Sequence, residues 1–358
     1  MVGFSIGGFS FGLMPANATW EPSEEVGTPS SDAVGEWADA WSSASRSVVR
    51  WAPEDYWQRV GMVCGWMESL GVNVNPGGRH RTYERILRAY AEQVAKTGDR
   101  EPCEVQVGKR MRTALEVRQA MYEAHEIYKV FRGLREPIPE GLQHSMSKMV
   151  KGPDFYPSEN VSSGTNQARN FGLELAVGAD MRMLGYGVFY GDDSHPEPLA
   201  VADGLQIAFQ CKRMSSDKAS ALQDELKDAA GQLAENRTRL DSITHGVVVV
   251  DLTKLVNPSG GTVSVGRPGE SYPVRDELHR IADSAQAEFA TSSGKQVDGM
   301  IFRATYPVRV EGATEVVTWV NHPLLRYGKS EDGKEAIDLM SYRHVLRDQA
   351  RAQGRDTL

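Results

Sequence analysis

The run Gly246-Val247-Val248-Val249-Val250 constrains the fold more than any other stretch of the chain. Four successive β-branched side chains are stiff in a helix and suit a pleated strand. The run does not alternate with polar residues, so the strand has to bury both of its faces. That requires a sheet covered by helices on each side. The surrounding pattern supplies them: a helix over about 166–184, a hairpin over about 197–213 and helices over about 217–237 and 275–289. Further strands are expected near 299–303 and 315–320. Strands alternating with helices predict an α/β class, a mixed sheet flanked by helices.

The first half of the chain reads differently. Residues 1–35 hold an apolar, Gly-rich start without Lys or Arg before Pro15, then Pro15, Pro22 and Pro29. A secretory leader would begin with basic residues, so this is expected to be a flexible terminal segment. Residues 36–150 are expected to form a mainly α-helical domain. Trp37, Trp41, Val48, Trp51, Trp57, Val60, Cys64 and Met67 recur at helical spacing. Two long helices are predicted over about 82–96, after the turn Asn75-Pro76-Gly77-Gly78, and over about 109–133. The tryptophans here are expected to pack a helical core, with a base-stacking platform as the alternative. Arg81, Arg85 and Arg88 fall at i, i+4 and i+7 and share one helix face, either solvated or in contact with phosphates. Recognition, partner binding and dimerisation all remain open for this domain. A second domain is expected over residues 158–358.

Composition narrows the function classes. Hydrophobic content of 40% and charged content of 25% are ordinary for a globular protein. Cys64, Cys103 and Cys211 are odd in number and lack C-x-x-C spacing, which argues against a disulfide framework or a zinc site and fits a reducing cytoplasm. No stretch approaches the roughly 20 apolar residues of a membrane helix. A net charge of −8 speaks against a nucleic-acid binder with a basic surface throughout, yet suits an enzyme that holds metal through carboxylates beside a local basic groove. A Gly-rich phosphate loop, a Ser nucleophile elbow and a dinucleotide fingerprint are all absent from the sequence.

Three segments carry chemistry. Glu174 shares a helix face with Val177, Met181 and Leu184, and a carboxylate on an apolar stripe needs a cation or a lysine to compensate its burial. Gln210 and Lys212 share one face of a strand, since side chains alternate. Asp203-Gly204 is a two-residue hairpin signal, which pairs residue 202 with 205 and, counting outward, Glu197 with Gln210. Glu197, Gln210 and Lys212 would then cluster, with Glu174 supplied by the helix beneath. Asp203 is the alternative metal acid if the turn falls later, near 206–207, and Asp193 is a further one. Cys211 alternates away from that face, and His195 reads as a loop bystander.

Pro196-Glu197, twelve residues, then Gln210-Cys211-Lys212-Arg213, preceded by the Glu174 helix and by Leu184-Gly185-Tyr186, resembles the PD-(D/E)XK nuclease superfamily. The QxK form and the Gly-Tyr element are similar to its Mrr-type restriction-endonuclease branch. The resemblance spans about residues 160–255, with His245–Asp251 as the central strand. It implies a restriction-endonuclease-like fold and a nuclease dependent on Mg²⁺, with Mn²⁺ able to substitute. Glu197, Gln210, the Cys211 backbone carbonyl and Glu174 would hold the metal, and Lys212 would position the attacking water. Arg213 and Lys218 would hold the nucleic acid, DNA in the first instance, in restriction or phage defence, with a homodimer or a defence-system partner. Here Glu replaces the Asp of the second motif and Gln replaces the acid of the third. A decayed site serving nucleic-acid binding or complex assembly is therefore the alternative.

Overall fold

The valine run becomes the buried centre of a sheet in a computed structural model of the chain. The structure describes residues 4–6, 9–11, 51–152, 167–191, 198–202, 205–214, 219–239, 243, 245–258, 261–265, 273–292, 297–310 and 318–327. A small hairpin, β1 (Phe4–Ile6) and β2 (Phe9–Phe11), comes first, so most of the expected N-terminal segment lies outside the described residues. Helices α1 (Pro53–Ser69) and α2 (Arg79–Thr97) follow, then the hairpin β3 (Val105–Val107) and β4 (Arg110–Arg112). Helices α3 (Ala114–Leu134) and α4 (Leu142–Met149) complete the helical region. The expected helix start near 109 moves to 114 because Thr113 caps it: its hydroxyl accepts the Glu116 N–H while Glu116 accepts the Thr113 N–H.

The rest alternates as the pattern predicts: α5 (Gln167–Met183), β5 (Gly187–Tyr190), β6 (Pro198–Ala202), β7 (Leu205–Arg213), α6 (Ala219–Arg239) and β8 (His245–Asp251). A short α7 (Thr253–Val256), β9 (Val263–Val265), α8 (Pro273–Ser292), β10 (Gly299–Val310) and β11 (Thr318–Tyr327) follow. The sheet runs β11-β10-β8-β7-β6-β5, with β9 beside β10. β7, β8 and β10 are parallel, while β5, β6 and β11 run antiparallel to their neighbours. Every residue of β8 is buried, which is why its sequence shows no alternation.

Register assigns each side chain to a face. Val188, Ala200, Ile207, Phe209, Cys211, Val247, Val249 and Ile301 pack toward α5 and the helical region, in one apolar cluster that reaches back to Tyr56 of α1. The helical region and this face of the sheet therefore share a core. Ala208, Val248, Val250, Met300 and Phe302 face the other way, under Leu222 and Leu226 of α6 and Leu278 and Ile281 of α8. No helix among the described residues is long and apolar enough to cross a membrane.

Candidate functional site

The hairpin has the register that Asp203-Gly204 predicts: Ala202 pairs with Leu205, then Val201 with Gln206, Ala200 with Ile207 and Leu199 with Ala208. Among the described residues the ladder ends there, short of the expected pairing of Glu197 with Gln210. Glu197, Asp193, His195 and Asp203 themselves lie outside the described residues, as does Lys218.

Gln210 and Lys212 pair across the parallel ladder with Val248 and Val250, so they lie on the α6 face. Gln210 is only 4% exposed, and its Oε1 has no hydrogen-bond partner among the described residues. A buried amide oxygen without a donor is costly, which makes it a candidate for a cation or an ordered donor. Lys212 is half-buried and makes no hydrogen bond or ion pair among the described residues. The backbone between them points toward β6. The Met214 N–H donates to the Asp251 carbonyl on the β8 side, whereas the Arg213 N–H donates to Asn170 Oδ1 on the opposite edge. By alternation the Cys211 carbonyl shares the Arg213 direction, toward the start of β6. Its thiol is buried against the α5 face, as expected for a packing cysteine.

Glu174 does not join this group. Its helix covers the opposite face of the sheet, where the Glu174 charge acts on Tyr190 together with Cys211. Tyr190, aligned through Pro198 with the Phe209 position, marks that face. Glu174 is 5% exposed there, so the strand β7 itself separates it from Gln210 and Lys212. An acid on this same side, which the sequence reading missed, is Glu225 of α6, on which the Lys212 charge acts. It is half-buried; burial raises its carboxyl pKa, and the Lys212 charge opposes that rise.

Arg213, expected to hold nucleic acid, is instead locked inside. Its Nε and Nη2 donate to Asp251 Oδ2 at 3.2 and 2.9 Å, and Nη2 also donates to the Tyr122 hydroxyl at 2.6 Å. Asp251 is fully buried between Arg213 and Arg303, one strand to each side. Burial would raise its pKa, but the two arginines and the Thr253 donors outweigh that and hold it below the usual carboxylate range. Arg303 reaches on to Glu126 of α3, both oxygens at 3.0 Å. Beside this row Arg169 pairs with Glu123, and Arg79 donates to the Met149 carbonyl at 2.6 Å. This network ties α2, α3 and α5 to the carboxyl ends of β7, β8 and β10.

The basic face of α2 is also engaged. Arg81 bridges Glu68 and Glu84 at 2.7 and 2.8 Å; Arg88 pairs with Glu84 and stacks over Trp57. Arg85 donates to the Pro76 carbonyl and to Thr82. The face read as either solvated or in contact with phosphates is a set of intramolecular pairs, for which Glu84 was the visible signal.

The donors that suit a hard cation are the Gln210 oxygen and the Cys211 carbonyl, which fit one edge of such a site. Among the described residues no three His, Cys, Asp or Glu side chains gather as a metal site. Comparisons with protein-family models, curated proteins and solved structures find no match for this chain.

Proposed function

We propose that this chain is a metal-dependent nuclease of the PD-(D/E)XK type, hydrolysing phosphodiester bonds of nucleic acid, with DNA as the substrate to try first. The observation that carries the reading is the buried Gln210 oxygen, without a hydrogen-bond partner among the described residues, on the same face of β7 as Lys212. The α5, β5–β7, α6, β8 order supplies the elements such a site needs, in the order the motifs demand. Gln210 Oε1, the Cys211 carbonyl and an acid from residues 192–197, Glu197 first among them, would hold Mg²⁺ or Mn²⁺. When bound, the cation supplies polarisation of the phosphodiester and stabilises charge on the departing oxygen.

The chain's own contribution is then distinct. Lys212, unengaged among the described residues, would orient a water and offset the negative charge that builds on the phosphoryl oxygens. The water gives up a proton to solvent as its oxygen forms the new P–O bond, the bond to the departing sugar oxygen breaks, and that oxygen takes up a proton from solvent. Gln210, as a neutral amide, binds more weakly than a carboxylate, so the site depends on its other ligands. The same neutral amide favours a second reading, a nuclease fold whose site has decayed into a binding or assembly module.

The test is cleavage of supercoiled and linear DNA with Mg²⁺, Mn²⁺ or EDTA, for the wild type beside Lys212→Ala. Metal-dependent cutting that falls by about 100-fold or more in the variant is expected, the usual scale for losing one preorganised electrostatic stabiliser. Cutting that survives intact in Lys212→Ala would place the active site elsewhere; absence of cutting in the wild type on both DNA and RNA would favour the decayed module.

A further inference from the structure

We propose that Glu225 is a ligand of the divalent cation, supplying from α6 the carboxylate that the Gln210-Cys211-Lys212 triplet lacks; this rests on the nuclease reading above. A site with an amide where an acid is usual needs a second source of negative charge, because hard cations are held mainly by charged oxygen. Two helices press on β7, one from each side. Glu174 of α5 is on the wrong face. Helix α6 follows β7 after a short connection, so its first turns lie over the carboxyl end of the strand, where Gln210 and Lys212 are.

Leu222, Leu226 and Ala229 of α6 pack on Ala208, Val248 and Val250. Glu225 stands three residues after Leu222 and four before Ala229, so it belongs to this sheet-facing stripe rather than to the outer face. The neighbouring Asp224 and Asp228 are exposed, whereas Glu225 is half-buried. Among the described residues Glu225 makes no hydrogen bond and no ion pair within contact distance. Partial burial disfavours the charged form of this carboxylate, and a cation bound there would offset that effect. The Gln210 oxygen, buried and without a hydrogen-bond partner among the described residues, is the independent second sign that this face can receive a cation. Lys212 lies on that same face, and its charge is the largest one acting on Glu225.

The experiment measures Mn²⁺ binding to the full chain without nucleic acid, for the wild type, Glu225→Gln and Glu174→Gln. Glu225→Gln is isosteric and partly exposed; it is expected to weaken Mn²⁺ by about tenfold or more, the scale on which ligand-sphere changes act, while Glu174→Gln binds as the wild type does. In parallel, Fe²⁺ with ascorbate in the wild type should cut the backbone near both 210–213 and 225. Unchanged Mn²⁺ affinity in Glu225→Gln, or Fe²⁺ cuts that avoid α6, overturns the assignment while leaving a metal-binding, DNA-cutting wild type as a nuclease. A wild type that neither binds Mn²⁺ nor cuts overturns the nuclease reading as well.

Discussion

Lys212 and Arg213 are neighbours in sequence and opposites in the fold. Strand alternation sends Lys212 to the α6 face, half-exposed and unengaged among the described residues, and sends Arg213 to the α5 face, into a buried pair with Asp251. The α5 face carries a row of charges across three parallel strands, Arg213, Asp251 and Arg303, each satisfied by the next or by Glu126 and Tyr122 of α3. The α6 face of β7 carries Lys212 and the buried Gln210, whose Oε1 has no hydrogen-bond partner among the described residues. A satisfied network fixes geometry, while an unsatisfied buried oxygen invites a ligand. One face of β7 is thus a structural anchor and the other the face of the proposed site.

The sharpest way to break this contrast is at Asp251. Asp251→Asn keeps the shape but leaves Arg213 and Arg303 facing each other across a fully buried position. Uncompensated buried charge of this kind costs about 3–5 kcal/mol, read as a lower urea midpoint. A loss under about 1 kcal/mol would mean water already screens the row. Replacing the two neighbours one at a time sharpens the comparison further. Arg213→Met should cost about 3 kcal/mol for the same reason, and any lost cutting should track lost folding. Lys212→Met should leave stability within about 0.5 kcal/mol, as for surface changes, and abolish cutting. If the two variants behave alike, the two faces do not differ as argued.

Much of this was legible beforehand, and the gaps have a common cause. The valine run and the Asp203-Gly204 turn act locally, so the buried strand and the hairpin register could be read from a few adjacent residues. Even the fate of Arg213 lay in its odd spacing from Lys212. Glu174 was different. Its apolar stripe says that α5 is buried, and α5 is enclosed on several sides, but no periodicity within a helix says which face of the sheet it will cover. The same holds for Glu225, whose importance depends on where α6 lands after β7. Arg81 and Arg88 were half legible: Glu84 stands on their own helix, while Glu68 arrives from α1. Tertiary placement, rather than local pattern, decided each of these.

The helical side should also show itself in pH. His80 is buried, and that burial, reinforced by Arg79 and Arg169, holds its pKa well below the usual 6.5. His125, which packs against Trp51 and Tyr56, is lowered to about 3 by burial, with Arg59 adding to the effect. Both stay neutral in the fold and take up a proton in the unfolded chain once the pH drops below about 6.5. Stability is therefore lost as pH falls below 6.5, down to about 3 for His125, each histidine contributing a slope of up to about 1.4 kcal/mol per pH unit. Asp251 adds to the acid end: its depressed pKa gives stability that is present above about pH 4 and lost below it. His80→Gln should flatten the slope between about pH 6.5 and 5 by one proton, measured by urea unfolding at pH 7, 6 and 5. An unaltered slope would show that His80 protonates freely in the folded state.

The smallest expected effect concerns the arginines of α2. Arg81 already serves two carboxylates and Arg88 a carboxylate and an indole, and releasing them to phosphates would leave Glu68 and Glu84 behind. A residue that exchanges one anion for another gains little, because it releases few counterions from the nucleic acid on binding. Arg81→Ala and Arg88→Ala should each lower stability by about 0.5–1 kcal/mol, as exposed pairs do, and should leave the slope of log affinity against log salt for DNA unchanged. A slope that drops by about 1 per substitution would mean that each arginine contacts a phosphate. The helical region would then belong to the substrate groove and not only to the anchored side of the sheet.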